Sequence, residues 1–365
     1  MIHAISCIFH EKPKQSQIFF LEDLPNIDEL KEVVFLADNI SKHMLVKYLH
    51  SFPQAKQILI PAGEFYKTQE TKQFIEEQLF KNKCGKQTTL IGVGGGVICD
   101  LAGYVCATYL RGIDLILIPT TLLAMVDAAF GGKNGINTSF GKNLLGTFYP
   151  ARQIWIDLQA TSTWTISHLQ EGLAEIIKKA LIADAEFFAF LERNVDLFLS
   201  KDKKFLKTCI KKSLEIKAFH VQNDLTDSGL RRSLNFGHTI AHALELTSKF
   251  SLSHGQAVAI GLCVETWISG QFFPEALLVL PKLIELLKKL KFSLSIPSFI
   301  TVESLQEACS VDKKNTKDQK RVVLLKKLGA VEPFENNYCT PISDKILRKS
   351  LEWMFGEFKE PLYVY

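Results

Sequence analysis

Thr88-Thr89-Leu90-Ile91-Gly92-Val93-Gly94-Gly95-Gly96-Val97-Ile98-Cys99-Asp100 is the stretch from which the architecture of this chain can be read. An apolar run ends in three consecutive glycines and passes directly into a segment of helical period, Val97 to Leu110. Glycines between a strand and a helix let backbone N–H groups approach a phosphate, and the helix dipole adds a favourable field. In a βα setting this is the pyrophosphate end of a dinucleotide site. Position 97 is valine, so the spacing is not G-x-G-x-x-G, and a plain strand-to-helix turn is the competing reading.

The same alternation extends to either side. Val33–Ala37, Gln57–Pro61, Leu115–Pro119 and Ile154–Asp157 are short apolar runs ended by turn residues, separated by helical-period segments such as Thr68 to Lys81. Continuous apolar strands alternating with helices predict a parallel sheet covered on both faces. From about Ile166 nearly everything has a 3.6-residue period: His168 to Ala183, Phe205 to Val221, His254 to Gly270, Leu277 to Leu290. One late strand, Arg321–Leu325, interrupts it. The expectation is an α/β parallel-sheet domain over residues 1–165 followed by a mostly α-helical domain over 166–365. Two domains also suit 365 residues, more than one core usually supports.

Composition excludes several classes. Apolar content of 47% and charged content of 22% describe an ordinary globular protein. A net charge of +4 with dispersed basic residues gives no reason to expect nucleic acid. The eight cysteines form no CxxC pair, which predicts reduced thiols and a cytoplasmic setting. No signal peptide and no apolar run long enough to cross a bilayer is evident, so no membrane association is expected.

Three further clusters carry chemistry. Gly131-Gly132-Lys133-Asn134-Gly135-Ile136-Asn137 with Gly141-Lys142-Asn143 brackets two lysines with glycines and amides, a composition suited to a polyanion. Leu234-Asn235-Phe236-Gly237-His238-Thr239-Ile240-Ala241-His242, followed by Ser253-His254-Gly255, gathers three of the nine histidines. His238 and His242 are spaced i, i+4, on one face of a helix, and imidazole is both a common metal ligand and an acid/base group suited to neutral pH. Gly172-Leu173-Ala174-Glu175-Ile176-Ile177-Lys178 puts a carboxylate inside an apolar helical turn, where it must be paired, protonated or bound to metal. Glu175 with His238 and His254 would form a two-imidazole, one-carboxylate set that suits zinc with an open position. A structural ion pair between Glu175 and Lys178 or Lys179 is the alternative.

Together these segments resemble the 3-dehydroquinate synthase family. The matching strings are Gly94-Gly95-Gly96-Val97-x-x-Asp100, Arg111-Gly112, Pro119-Thr120-Thr121-Leu122-Leu123-Ala124-x-Val126-Asp127 and Gly131-Gly132-Lys133-x-Gly135-Ile136-Asn137. They continue through Gly141-Lys142-Asn143, Phe148-Tyr149, Gly172-Leu173-Ala174-Glu175-x-Ile177-Lys178, Arg231-x-x-Leu234-Asn235-x-Gly237-His238-Thr239, His254-Gly255 and Asp312-Lys313-Lys314. The resemblance runs from about residue 62 to 325.

That resemblance implies an N-terminal Rossmann-like α/β domain binding NAD and a C-terminal helical domain carrying metal and substrate groups. It implies one divalent metal, zinc or cobalt, on Glu175, His238 and His254. Substrate and catalytic groups are implied at Asp127, Lys133, Lys142, Asn143, Lys178, Lys217, Arg231, Asn235 and His242, and at one of Lys313 and Lys314, taken as Lys314. NAD contacts are implied at Gly63, Glu64, Lys67, Gly95, Gly96, Asp100, Thr120, Thr121 and Ala160-Thr161-Ser162-Thr163, with Lys133 and Lys142 alongside. The implied reaction turns 3-deoxy-D-arabino-heptulosonate 7-phosphate into 3-dehydroquinate and phosphate, a lyase step of the shikimate pathway leading to chorismate and aromatic amino acids, with NAD regenerated each turnover. A homodimer is implied as well. Lys133, Lys178, Lys217, His242 and Asn143 are expected at the phosphate end, and Arg231 and Lys142 toward the carboxylate.

Some positions depart from the family pattern: Ala62, Ala128-Ala129, Pro150-Ala151, Ala241 and Gln256. None is an expected ligand. Competing readings are another sugar-phosphate cyclase, a glycerol-type metal-dependent alcohol dehydrogenase, or a homologue that has lost catalysis and serves as a binding protein.

Overall fold

A computed structural model describes residues 15–21, 29–309 and 320–359. The chain divides into two compact units, Met1–Pro119 with Gly132–Asp157, and Thr120–Gly131 with Leu158–Tyr365. The second unit takes up the rest of the chain from Leu158, and the short segment Thr120–Gly131 groups with it.

The first unit is built on six parallel strands. They are β1 (Gln17–Phe20), β2 (Glu32–Asp38), β3 (Lys56–Ile60), β4 (Thr88–Gly94), β5 (Asp114–Pro119) and, later in the chain, β8 (Gln153–Ile156), in the order β1-β8-β5-β4-β2-β3. Every residue of β4 is buried, as the unbroken apolar run requires of a strand covered on both faces. Helices α1 (Lys42–Leu49), α2 (Gln69–Lys81) and α3 (Gly96–Thr108) provide the cover. On one side Phe35, Tyr48, Ile91, Val93, Ile116, Ile118 and Trp155 form a continuous core. The edge strand β1 is too short and too polar at its start to stand out by period. The glycine- and lysine-rich stretch, for which no strand is expected from its period, folds as an antiparallel hairpin of β6 (Lys133–Thr138) and β7 (Gly141–Phe148). Its small and amide residues hide the alternation that would mark strands.

The second unit is a helical assembly. It begins with a single π-helical turn at Ala124–Ala128 and continues with α4 (Ile166–Ala183), α5 (Ala185–Arg193), α6 (Val195–Leu199) and α7 (Lys203–Asn223). There follow α8 (His238–Thr247), α9 (His254–Gly270), α10 (Pro274–Leu277), α11 (Leu280–Lys289), α12 (Val302–Ala308) and α13 (Asp344–Phe358). The late strand expected at Arg321–Leu325 is split: β9 (Arg321–Val322) pairs with β12 (Thr340–Pro341), and β10 (Leu325–Lys327) pairs with β11 (Ala330–Val331). Thirteen of the eighteen residues of α4 are buried, and thirteen of the seventeen of α9, so both are central helices. Trp267 of α9 stacks on Trp353 of α13, with ring centroids 5.8 Å apart and planes 17° from parallel.

Asp157, just past β8, ties the first unit together. Its buried carboxylate accepts from the Tyr48 hydroxyl at 2.8 Å and from Lys47 Nζ at 2.9 Å. Lys47 is partly exposed and can turn to water if its partner is lost, whereas the Tyr48 hydroxyl cannot. The cost of removal is therefore that of one orphaned buried hydroxyl plus one weak ion pair. Asp157→Ala is expected to lower unfolding stability by about 2 kcal/mol in urea denaturation, and Tyr48→Phe by about 1 kcal/mol.

Candidate functional site

Three helices bring the metal-type residues together. Glu175 lies in the middle of α4, while His238 and His254 are the first residues of α8 and α9. Glu175 Oε1 lies 3.3 Å from His238 Nε2 and 3.4 Å from His254 Nε2. One ligand atom from each of the three lies within 4.8 Å of the others. The far ring nitrogens have partners of their own: His238 Nδ1 meets the Phe236 carbonyl at 3.2 Å, and His254 Nδ1 lies 3.5 Å from Glu245 Oε1. That leaves Nε2 of each ring turned toward Glu175, the arrangement in which an outer partner orients a metal-binding imidazole.

The local electrostatics suit a cation. Burial alone would raise Glu175, but Lys178 beside it and the two imidazoles hold its carboxyl well below the usual range. Burial, helped by Lys178, pushes His238 down to about 4. Burial also opposes charge on His254, yet the carboxylates of Glu175 and Glu245 prevail and raise it to about 10. The field that retains a proton there also favours a dication in its place. Two imidazole nitrogens and one carboxylate oxygen are the donors of an open zinc-type site, so the residues fit one divalent metal.

The helix starts are held by backbone geometry. Glu265 of α9 is fully buried and accepts from the backbone N–H groups of Gly237 at 2.8 Å and Thr239 at 2.9 Å. A carboxylate at the first turn of α8 satisfies donors that a helix start leaves over and opposes the positive end of its dipole. Gly261 permits this approach, since a Cβ there would lie 2.1 Å from the Gly237 carbonyl oxygen. At α9, Ser253 and Gln256 form a reciprocal capping box, so the glutamine that departs from the family pattern serves the start of the helix bearing His254.

Around the triad, the helical unit gathers most of the other expected groups. Lys178 pairs with Glu175 on the same helix, and the His242 ring lies edge-on to His238 at 5.4 Å. Lys217 of α7 donates to Asp127 Oδ1 at 2.7 Å and also to the Asp127 carbonyl. Burial works against the charge on both, raising Asp127 and lowering Lys217; Lys217 outweighs it for the carboxylate, which stays below its usual range, whereas the lysine remains lowered. Arg231, in the turn Leu230–Asn235, donates to the Leu225 and Gly131 carbonyls, each at 2.9 Å. Gly131 has φ +105°, and a Cβ there would come within 2.7 Å of that guanidinium. Asn235 closes the same turn by donating to the Arg232 carbonyl at 3.1 Å. The Thr120 carbonyl accepts from the Trp164 indole at 2.7 Å, and Thr121 Oγ1 accepts from Ala124 N at 3.2 Å. Ala160-Thr161-Ser162-Thr163 belongs to the 3-10 turn Leu158–Thr163.

In the first unit, Gly95 opens α3 in extended backbone, with Gly96 as the first helical residue, as the glycine run predicts. Lys67 is buried, pairs with Asp100 of α3 and donates to Asn143 Oδ1 at 2.5 Å. Glu64 accepts from Asn137 Nδ2 at 2.8 Å, and Gly63 has φ +117°. Lys133 opens β6, and Lys142 and Asn143 lie on β7. Lys313 and Lys314 lie outside the described residues.

Sequence reading misses Glu265 and Glu245, and it offers Lys179 only as an ion-pair partner for Glu175, whereas the structure gives it the Val126 carbonyl and Asp127. Glu265 carries the same signal as Glu175, a lone carboxylate in an apolar helical run, Cys263-Val264-Glu265-Thr266. Lys179 is one helical turn beyond Glu175, at i+4, and is buried with its Nζ donating to the Val126 carbonyl at 2.8 Å.

Residues 57–171 match the 3-dehydroquinate synthase N-terminal family model, and residues 172–315 match the C-terminal one. The chain belongs to the 3-dehydroquinate synthase family. A 3-dehydroquinate synthase of Chlamydia pneumoniae is 36% identical over 352 residues, covering 90% of this chain and 92% of that protein. Among solved structures, a 2-deoxy-scyllo-inosose synthase complexed with carbaglucose-6-phosphate, NAD+ and Co2+ aligns with a TM-score of 0.84 at 24% identity, over 93% of this chain and 96% of that one. A 2-epi-5-epi-valiolone synthase from Streptomyces hygroscopicus with NAD+ and Zn2+ bound gives 0.84 at 23%, over 96% and 99%. These two establish the fold, and the family establishes that the protein is an enzyme.

The geometry around Glu265 gives a direct test. Glu265→Gln removes the charge and one of the acceptors that align the start of α8, so His238 loses its register. Unfolding stability is expected to fall by about 2 kcal/mol, and zinc affinity in chelator competition by about 10-fold to 100-fold.

Proposed function

We propose that this protein converts 3-deoxy-D-arabino-heptulosonate 7-phosphate to 3-dehydroquinate and phosphate, using one zinc or cobalt ion on Glu175, His238 and His254 and one NAD regenerated in each turnover. The observation that carries the reading is the convergence of those three side chains from three helices, with Lys178 directly on the carboxylate. When bound, the metal supplies Lewis acidity to substrate hydroxyls and NAD supplies a reversible hydride acceptor.

The chain's own residues do the remaining work. A substrate with a carboxylate and a phosphate needs several fixed cations, and lysine provides point charge where arginine provides a planar fork. In this reading Lys178 and Lys217 meet the phosphate end, with His242 as the proton carrier beside it. Arg231 is pre-oriented for the carboxylate, because two backbone carbonyls already hold its guanidinium. Asp127 keeps Lys217 aimed and accepts from a substrate hydroxyl. Asn235 and Lys314 are assigned to substrate, as are Lys133, Lys142 and Asn143.

For NAD, Gly95 and Gly96 at the start of α3 would meet the pyrophosphate with backbone N–H groups. Gly63, Glu64, Lys67 and Asp100 are assigned to the rest of the nucleotide, as are Thr120, Thr121 and Ala160–Thr163. The interlock of Lys67 with Asp100 and Asn143 supports this by holding two residues assigned to the nucleotide, and one assigned to substrate, in one geometry.

A cytoplasmic setting is part of the proposal, supported by seven buried thiols among the described residues. No helix among those residues is long and apolar enough to cross a membrane. We also assign a homodimer. Phe140, Leu144, Leu145 and Phe148 are exposed along β6–β7, and a strand edge with such a face is suited to pairing with its own copy about a two-fold axis.

Two measurements decide these points. Phosphate release from the heptulosonate phosphate with NAD present is expected without net NADH, abolished by chelation and lowered at least about 1,000-fold in Glu175→Ala. Net NADH from a simple polyol without phosphate release would reassign the protein to alcohol oxidation. For the assembly, light scattering is expected to give twice 41.2 kDa for the wild type and the single-chain mass for Leu145→Lys.

A further inference from the structure

Lys179 is wholly enclosed, and nothing in the reaction proposed above uses it. An ammonium without water is costly to bury unless it is compensated, and a methionine or leucine would fill the same volume more cheaply. Glu175 on the same helix adds favourable charge, and the groups that meet the ammonium directly belong to one short segment of chain. Lys179 Nζ donates to the Val126 carbonyl at 2.8 Å and lies 3.7 Å from Asp127 Oδ1.

Both partners belong to the π turn Ala124–Ala128. There the Ala129 N–H reaches back five residues to the Ala124 carbonyl, at 3.0 Å. A single π turn shifts carbonyls away from the regular helical pattern. Two successive carbonyls in it are met by ammonium groups, Val126 by Lys179 and Asp127 by Lys217. The segment is also pinned at either end. Gly172 of α4 packs so closely on Leu122 that a Cβ would lie 2.4 Å from its Cγ, and Arg231 donates to the Gly131 carbonyl. Lys179 is the anchor between these ends that comes from α4, the helix that carries Glu175.

We propose that Lys179 is a positioning residue for Asp127: by holding the Val126 carbonyl it keeps the Ala124–Ala128 turn in its π form, which aims the Asp127 carboxylate at Lys217. The inference rests on the reading of Asp127 as a substrate-contacting group.

The test is a double-mutant cycle on the full-length, metal-loaded protein, with Lys179→Met alone and combined with Asp127→Asn, followed by phosphate release with NAD present. Lys179→Met is expected to lower kcat about tenfold with KM within about twofold, and to change the rate less than about twofold once Asp127 is asparagine. Equal fold losses in the two backgrounds would overturn the proposal, because a purely structural lysine weakens both alike. If Lys179→Met does not yield folded protein, Lys179→Gln, which keeps a polar side chain without charge, takes its place in the cycle. Absence of phosphate release in the wild type would defeat the proposed reaction by itself. The inference would then be decided by thermal unfolding: a loss of Tm in Lys179→Met that vanishes in the Asp127→Asn background supports it, and equal losses refute it.

Discussion

Charge held without water is the constraint on which the helical unit depends. α4 carries Glu175, Lys178 and Lys179 through an interior where an unpaired ion costs several kcal/mol, so each must find a partner at a fixed place. Glu175 draws in the starts of α8 and α9 through His238 and His254. Lys179 draws in the π turn, and Lys217 of α7 closes on that turn from another helix. Arg231 is satisfied by two carbonyls. Helices that would otherwise pack through apolar contact alone are thereby registered to one another.

Starting a helix and presenting a candidate metal ligand are one event in this unit. His238 and His254 are both first-turn residues, and the groups that satisfy the free N–H donors of those turns also orient the rings. Glu265 does so for α8, and the Ser253–Gln256 pair does so for α9. The tight contact of Gly261 with Gly237 follows from the same demand, since Glu265 reaches two backbone donors only if the helices nearly touch.

Much of this can be read from the chain before any coordinates. The apolar run of β4 and its glycines announce the parallel sheet, and Glu175 announces a buried ion because it stands among apolar neighbours, with Lys178 one turn on as its matching charge. The groups that brace the surrounding helices are harder to see. Glu265 and Lys179 act through residues 26 to 53 positions away, and local period carries no trace of such pairings. The β6–β7 hairpin is obscured because Gly135, Gly146 and the asparagines replace the alternating apolar residues that mark a strand. The π turn differs from an ordinary turn by one residue of register, which leaves apolar composition unchanged.

The tryptophans give the molecule an optical division of labour. Trp155 lies in the parallel sheet, with its indole shielded among Phe35 and Tyr48, whereas Trp267 and Trp353 form a near-parallel stack between the helix that begins with His254 and the last long helix of the chain. Stacked indoles couple electronically, and a single shielded indole does not. Near-ultraviolet circular dichroism therefore follows the docking of α13 on α9 in the wild type, while Trp155 fluorescence follows the sheet once Trp164, Trp267 and Trp353 are replaced by phenylalanine, so each unit has its own optical report.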